Sequence, residues 1–298
     1  MSICKIGLFC LAIATATCDA ANEKTLNNLV EKTVENIRAS YEGGGYDINS
    51  SFTHDLPYGE SCCIKASNAK QTMCVAAVAE VIIDTINHRN EKSSFLKLPM
   101  STWTKGTLTS ARANLFMYKG TGSRGTGSAL EKIGIGREKD FKDLVKFDFI
   151  NFNRTNKSGH AAVFLGYLDM DSKVVSKYDD NIIGFSYYSA QGKGKPDAGF
   201  SDRYAYFDGN CPEKPSAVKR DCGVIRSKNR VLLSGGELWD PIEWKVEERT
   251  KSMISGVRSI IEGRFKGADK GLIDTQLDTE LQRELPPASA RFSGETTD

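Results

Sequence analysis

A thiol and an imidazole held within reach of each other suffice for nucleophilic acyl transfer: the thiolate attacks a carbonyl, and the ring takes and returns the proton. Cys74 is the thiol best placed for this. It opens a breaker-free run to Ile86, with Val75, Ala76, Ala77, Val78, Val81, Ile82 and Ile83, which predicts a helix buried on nearly every side. With Thr72 as N-cap, Cys74 stands about two residues inside the helix start, where exposed N–H groups and the helix dipole stabilise a thiolate. The chain has 3 histidines. His54 lies in the loop before this helix, and His88 at its far end is roughly 20 Å from Cys74 at about 1.5 Å per residue. His160 opens a predicted strand after a tight polar turn and is the base that rigid elements can hold. On the next predicted strand, Tyr187, Ser189 and Gln191 share one face. Gln191 is the first choice to orient the ring, because its amide oxygen can accept a ring N–H as Asn does in Cys-His-Asn sites; Ser189 is the second. The expected oxyanion donors are the Cys74 N–H and Gln71, upstream of it.

The elements that must position these groups follow from periodicity. Leu26, Leu29, Val30, Val34 and Ile37 predict a helix within 22–45, ended by the Gly43–Gly45 run. Residues 46–70 read as a loop. A second helix is expected over Leu108–Tyr118 and a short one over Ser128–Ile133, flanking a Gly- and Ser-rich loop that lacks the Gly-Lys-Ser/Thr ending of a phosphate loop. Phe147–Phe152, Ala161–Leu168 and Ile182–Ser189 predict an antiparallel meander, and Arg230–Leu233 a further strand. Residues 246–265 have weak helical periodicity, and the Pro286-Pro287 end reads as a tail. A buried helix followed by an antiparallel sheet is an α+β layout.

Composition narrows the partners. The net charge is +2 with scattered Lys and Arg, so there is no basic stripe for nucleic acid. Lys5, the apolar run Ile6–Ala16 and the small residues through Ala20 and Ala21 read as an export signal over residues 1–21, too short for a membrane span. A lipoprotein signal ending at Cys18 is the alternative, but Thr15 and Thr17 occupy the positions where Leu and Gly or Ala are wanted. No later segment is apolar enough for stable membrane insertion. Of the 8 cysteines, Cys4, Cys10 and Cys18 fall in the signal, leaving Cys62, Cys63, Cys74, Cys211 and Cys222. An odd number in an oxidising compartment implies an unpaired thiol; two disulfides and one reactive cysteine is the economical arrangement, with the pairing open. A zinc site at these cysteines is disfavoured, because Cys62-Cys63 is not a Cys-x-x-Cys knuckle and no His stands near Cys211 or Cys222.

The stretch Val145-Lys146-Phe147-Asp148-Phe149-Ile150-Asn151-Phe152, followed by Ser158-Gly159-His160-Ala161-Ala162-Val163-Phe164-Leu165-Gly166, resembles the strand block of NlpC-type cell-wall peptidases. Those enzymes belong, with the CHAP amidases, to the papain-like superfamily. The resemblance covers about residues 57–191. It implies a papain-like fold in which a buried helix packs on an antiparallel sheet. It also implies an exported cysteine peptidase or amidase that cuts amide bonds, most plausibly in peptidoglycan stem peptides, through a thioester and without metal or organic cofactor. Cys74, His160 and Gln191 or Ser189 match the family's positions, and Pro57-Tyr58-Gly59 resembles its aromatic turn, making Tyr58 a substrate contact. The family's Asp-Cys-Ser-Gly is here Met73-Cys74-Val75-Ala76, so its γ-D-glutamyl specificity does not carry over. The expected organisation is a signal peptide (1–21), an N-terminal helix and linker (22–56), a catalytic domain (57–245) with a Cys-containing insertion near 195–240, and a C-terminal helical region and tail (246–298). Localisation is expected to be periplasmic or extracellular. An acyltransferase of transglutaminase type on the same fold and a non-enzymatic exported binding protein are the competing classes.

Overall fold

The structure, a computed structural model, describes residues 24–59, 61–89, 98, 100–104, 114–118, 123–213, 219–249 and 251, and for Ser61, Cys62, Ser101, Thr104, Tyr118 and Ser123 the backbone alone. The segment read as an export signal (1–21) and the segment read as a tail at the Pro286-Pro287 end fall outside the described residues.

Helix α1 (Asn27–Tyr41) buries Val30, Thr33, Val34 and Ile37, the stripe its spacing predicts. Helix α2 (Cys74–Arg89) buries every residue from Cys74 to Ile83, and then Thr85 and Ile86. The two helices are joined by polar contacts: Thr85 Oγ1 donates to Thr33 Oγ1 (3.1 Å), and Thr33 Oγ1 meets His88 Nδ1 at 2.8 Å. His88 is thereby committed to α1. Between the helices the expected loop contains a small antiparallel hairpin, β1 (Leu56–Tyr58) and β2 (Ser61–Ile64). A one-turn helix α3 (Ser101–Thr104) follows. Of the helix expected over Leu108–Tyr118, residues 108–113 lie outside the described residues, and Met117–Tyr118 form instead a two-residue strand, β3, paired with β4 (Ser123–Arg124). Helix α4 (Thr126–Ile133) then starts two residues earlier than its pattern predicts.

The remaining strands are β5 (Gly136–Lys139), β6 (Phe149–Asn153), β7 (Gly159–Leu168), β8 (Val174–Val175), β9 (Gly184–Gln191), β10 (Gly199–Phe207), β11 (Lys219–Val224) and β12 (Leu233–Leu238). They form one 8-stranded sheet in the order β11-β10-β9-β7-β6-β12-β5, with β8 on β7. All pairs are antiparallel except β10 with β11. The sheet also closes on itself. Arg154 bridges Val224, Ile225 N–H donates to Asn153 O (2.9 Å), and Thr155 N–H donates to Gly223 O (2.9 Å). Strands β6, β7, β9, β10 and β11 thus form a small barrel, from which β12 and β5 extend. The chain is an α+β protein with a mixed sheet.

Strand β12 is one that periodicity misplaces, since Arg230–Leu233 only touches its start. Its Gly235 and Gly236 read as breakers, yet they let α4 approach: a Cβ on Gly127 would lie 1.9 Å from Gly235 O.

The core has two layers. One holds α1, α2 and the strand residues facing them, including Ala161, Val163, Tyr188, Ala190 and Phe200. The other fills the barrel with Phe152, Ala162, Phe164, Phe185, Tyr187 and Phe207 among others. Cys211 and Cys222 form a disulfide, while Cys63 and Cys74 lie outside it. Two disulfides were the economical expectation; one joins the described residues. No helix among these residues is long and apolar enough to cross a membrane.

Candidate active site

Cys74 is the first residue of α2 and is fully buried. Thr72 does not cap the helix as expected. Its hydroxyl donates to Ser51 O (2.9 Å), and the first helical bond runs from Ala77 N–H to Met73 O (2.7 Å). No acidic side chain stands in the first turn of α2 to oppose a thiolate at the positive end of the helix dipole.

The segment 43–47 ties this helix end to the sheet. Gly43 N–H donates to Phe200 O (3.0 Å) and Gly45 N–H to Ala198 O (3.0 Å), while Thr72 N–H reaches Gly45 O (3.4 Å). A Cβ on Gly199 would lie 2.7 Å from Gly45 N, so the strap can pass only over glycine. Gly199 pairs with Gln191. The α2 N-terminus thus docks at the end of the sheet where β9 finishes and β10 begins, the same end at which β7 starts with His160.

His160 is buried, and its ring lies against Phe152 (5.4 Å between centroids) and Tyr187 (5.8 Å), both barrel residues. The alternation of β7 causes this: His160, Ala162 and Phe164 face the barrel, whereas Ala161 and Val163 face the helices. Cys74 packs in the helix layer with Ala161 and Ala190. The structure therefore brings the two residues to one end of the sheet but turns them into adjoining layers. Among the described residues His160 Nε2 has no hydrogen-bond partner. Burial, and then the charges of Arg154 and Arg203, hold the ring's pKa well below the ordinary histidine value, so it is neutral.

Ser189 and Gln191 share the face of Tyr187 as expected, but neither holds the ring. Gln191 Oε1 accepts from Tyr187 Oη (3.0 Å), and Ser189 Oγ donates to Ala161 O (2.7 Å). The role expected of Gln191 is corrected on that ground: its acceptor belongs to a phenol. Gln71 is half-buried, and its Oε1 accepts from Asn68 Nδ2. Tyr58 is not a surface contact. It is buried, donates to Leu98 O (2.6 Å) and accepts from Trp103 Nε1 (2.8 Å), a structural joint.

Sequence reasoning missed the polar surroundings of His160. Arg154 grips Asp221 with Nε at 2.8 Å from both carboxylate oxygens, and its Nη1 donates to Ser158 Oγ (2.9 Å). Tyr187 Oη lies 3.3 Å from the same carboxylate. Arg203 Nε and Ser201 Oγ, on the face of Tyr187 and Ser189 by register, are buried without partners among the described residues, as His160 Nε2 is. The clue was alternation: Ser201, Arg203 and Ala205 fall on one parity of a strand whose inward face is otherwise apolar or aromatic.

The chain matches no protein-family profile, no curated protein and no solved structure.

Proposed function

We propose that the protein is an exported papain-like cysteine hydrolase that cleaves amide bonds, with Cys74 as nucleophile and His160 as base. The observation that carries this reading is the neutral, buried imidazole whose Nε2 has no partner among the described residues, at the sheet end where α2 presents Cys74. An orphaned buried nitrogen costs free energy unless a function or an unseen partner uses it.

In the proposed cycle the His160 ring turns from the barrel layer to the helix layer and takes the Cys74 proton. Sulfur attacks the amide carbon, and the C–S bond forms as the carbonyl electrons move to oxygen. The Cys74 N–H and the first turn of α2 receive that oxyanion, with Gln71 as a further donor. Collapse breaks the C–N bond, the amine leaves with the proton from His160, and water then hydrolyses the thioester through the same base. Arg154 and Arg203 disfavour an imidazolium but favour the negative charge that passes from thiolate to oxyanion. Because Cys74 is fully buried, the strap 43–47 must open for substrate to enter.

Peptidoglycan stem peptides are the substrate class taken from the family resemblance. The periplasmic or extracellular setting draws on the signal-like N-terminus and on the Cys211–Cys222 disulfide. The test is digestion of purified peptidoglycan by wild type and Cys74→Ala, with fragments read by mass spectrometry. Wild type should release new amino termini and the variant none. Equal release by both, or none by either, sinks the reading. New fragments only when an amine is supplied would assign the same thioester to a transferase.

A further inference from the structure

Helix α2 and the loop ahead of β1 bring together three groups that acyl transfer does not use. Glu80 and Asp84, four positions apart on α2, place both carboxylates on one face. His54 meets them: Nδ1 is 3.7 Å from Glu80 Oε1, and Nε2 is 3.6 Å from Asp84 Oδ2. One ligand atom from each residue lies within 4.8 Å of the other two.

The hydrogen bonds around the ring decide which nitrogen is available. Thr53 donates its hydroxyl to Glu80 Oε1 (2.5 Å) and its N–H to Oε2 (2.8 Å). With that hydrogen given away, the Thr53 oxygen accepts from His54 Nδ1, 3.0 Å distant. Nδ1 therefore carries the proton of the neutral ring, and Nε2 keeps its lone pair. Nε2 and Asp84 Oδ2 face each other as two acceptors at 3.6 Å, too far for a hydrogen bond. That separation is close to the edge, about 3.4 Å, of a tetrahedron around an ion with bonds of about 2.0–2.1 Å. Thr53 supplies the outer hydrogen bonding that orients metal-binding imidazoles and carboxylates. Tyr41 stacks on the ring at 4.7 Å with its plane 4° away, which fixes the ring's edge towards the carboxylates. His54 is 27% exposed and Asp84 15%, which leaves an entry path and room for water ligands.

We propose that His54, Asp84 and Glu80 bind one divalent first-row cation, with zinc the best match to an imidazole and two carboxylates. The ion is structural: it pins the Thr53–His54 loop to α2, about 9 Å along the helix from Cys74.

The test uses the untagged, chelator-treated chain, titrated with zinc by calorimetry and with cobalt(II) by absorption. Wild type should take up one zinc per chain, melt at a higher temperature with zinc, and give a cobalt spectrum with no thiolate charge-transfer band. His54→Gln, Asp84→Asn and Glu80→Gln, compared where the circular dichroism spectrum matches wild type, should each weaken zinc by more than about tenfold. No zinc uptake by wild type, undiminished affinity in the folded variants, or a thiolate band would overturn the site.

Discussion

His160 carries two consequences that can be separated. As a base it must be neutral, and burial together with Arg154 and Arg203 keeps it so. Its folded pKa lies below the unfolded value of about 6.5, so its contribution to stability is present above that pH and is lost as pH falls below it. The loss should approach about 1.4 kcal/mol per pH unit while only the unfolded ring takes a proton. Glu80 acts in the opposite sense. Its carboxyl is raised to about 8, so its contribution is full at low pH and is lost as pH rises towards that value. Chemical denaturation of wild type and His160→Gln between pH 7 and 5 isolates the first effect: the variant should lose less stability on acidification.

At the scale of elements, a buried ion pair joins the backbone bridges at the barrel's seam. Arg154 follows β6, Asp221 lies on β11, and both are more than nine-tenths buried. Asp221→Asn leaves Arg154 charged and poorly paired, which should destabilise the protein by roughly 3–5 kcal/mol, measured as a lower denaturant midpoint. This seam was not legible in the sequence, because β11 pairs parallel with β10 and reaches β6 across about seventy positions. The strands of the meander were legible, since β6, β7 and β9 alternate or run apolar and are bounded by polar turns. Helix α2 was legible for the same reason. Its two carboxylates, Glu80 and Asp84, were the overlooked signal: charges four apart in an otherwise apolar helix need a partner. The layer that His160 faces could not be read either. A one-residue difference in register decides it, and Ala161 takes the helix side.

For the molecule as a whole, the helix layer and the barrel are two cores joined through one sheet, and the candidate site lies where the strap 43–47 ties them. The Cys211–Cys222 disulfide closes a short loop that leads into β11, the strand that completes the barrel. In the chain-entropy account its removal should cost roughly 2–3 kcal/mol, seen as a lower melting temperature for Cys211→Ser with Cys222→Ser.

The central claim is that His160 activates Cys74. The most direct measurement is the pH dependence of Cys74 alkylation by iodoacetamide in the native protein, located by peptide mass spectrometry, for wild type and His160→Ala. The account predicts alkylation of native Cys74 at neutral pH, several-fold slower in the variant that lacks the neutral base, with the two profiles converging near the ordinary thiol pKa of about 8.5. Identical profiles in the two proteins, or a Cys74 that reacts only after unfolding, would contradict it.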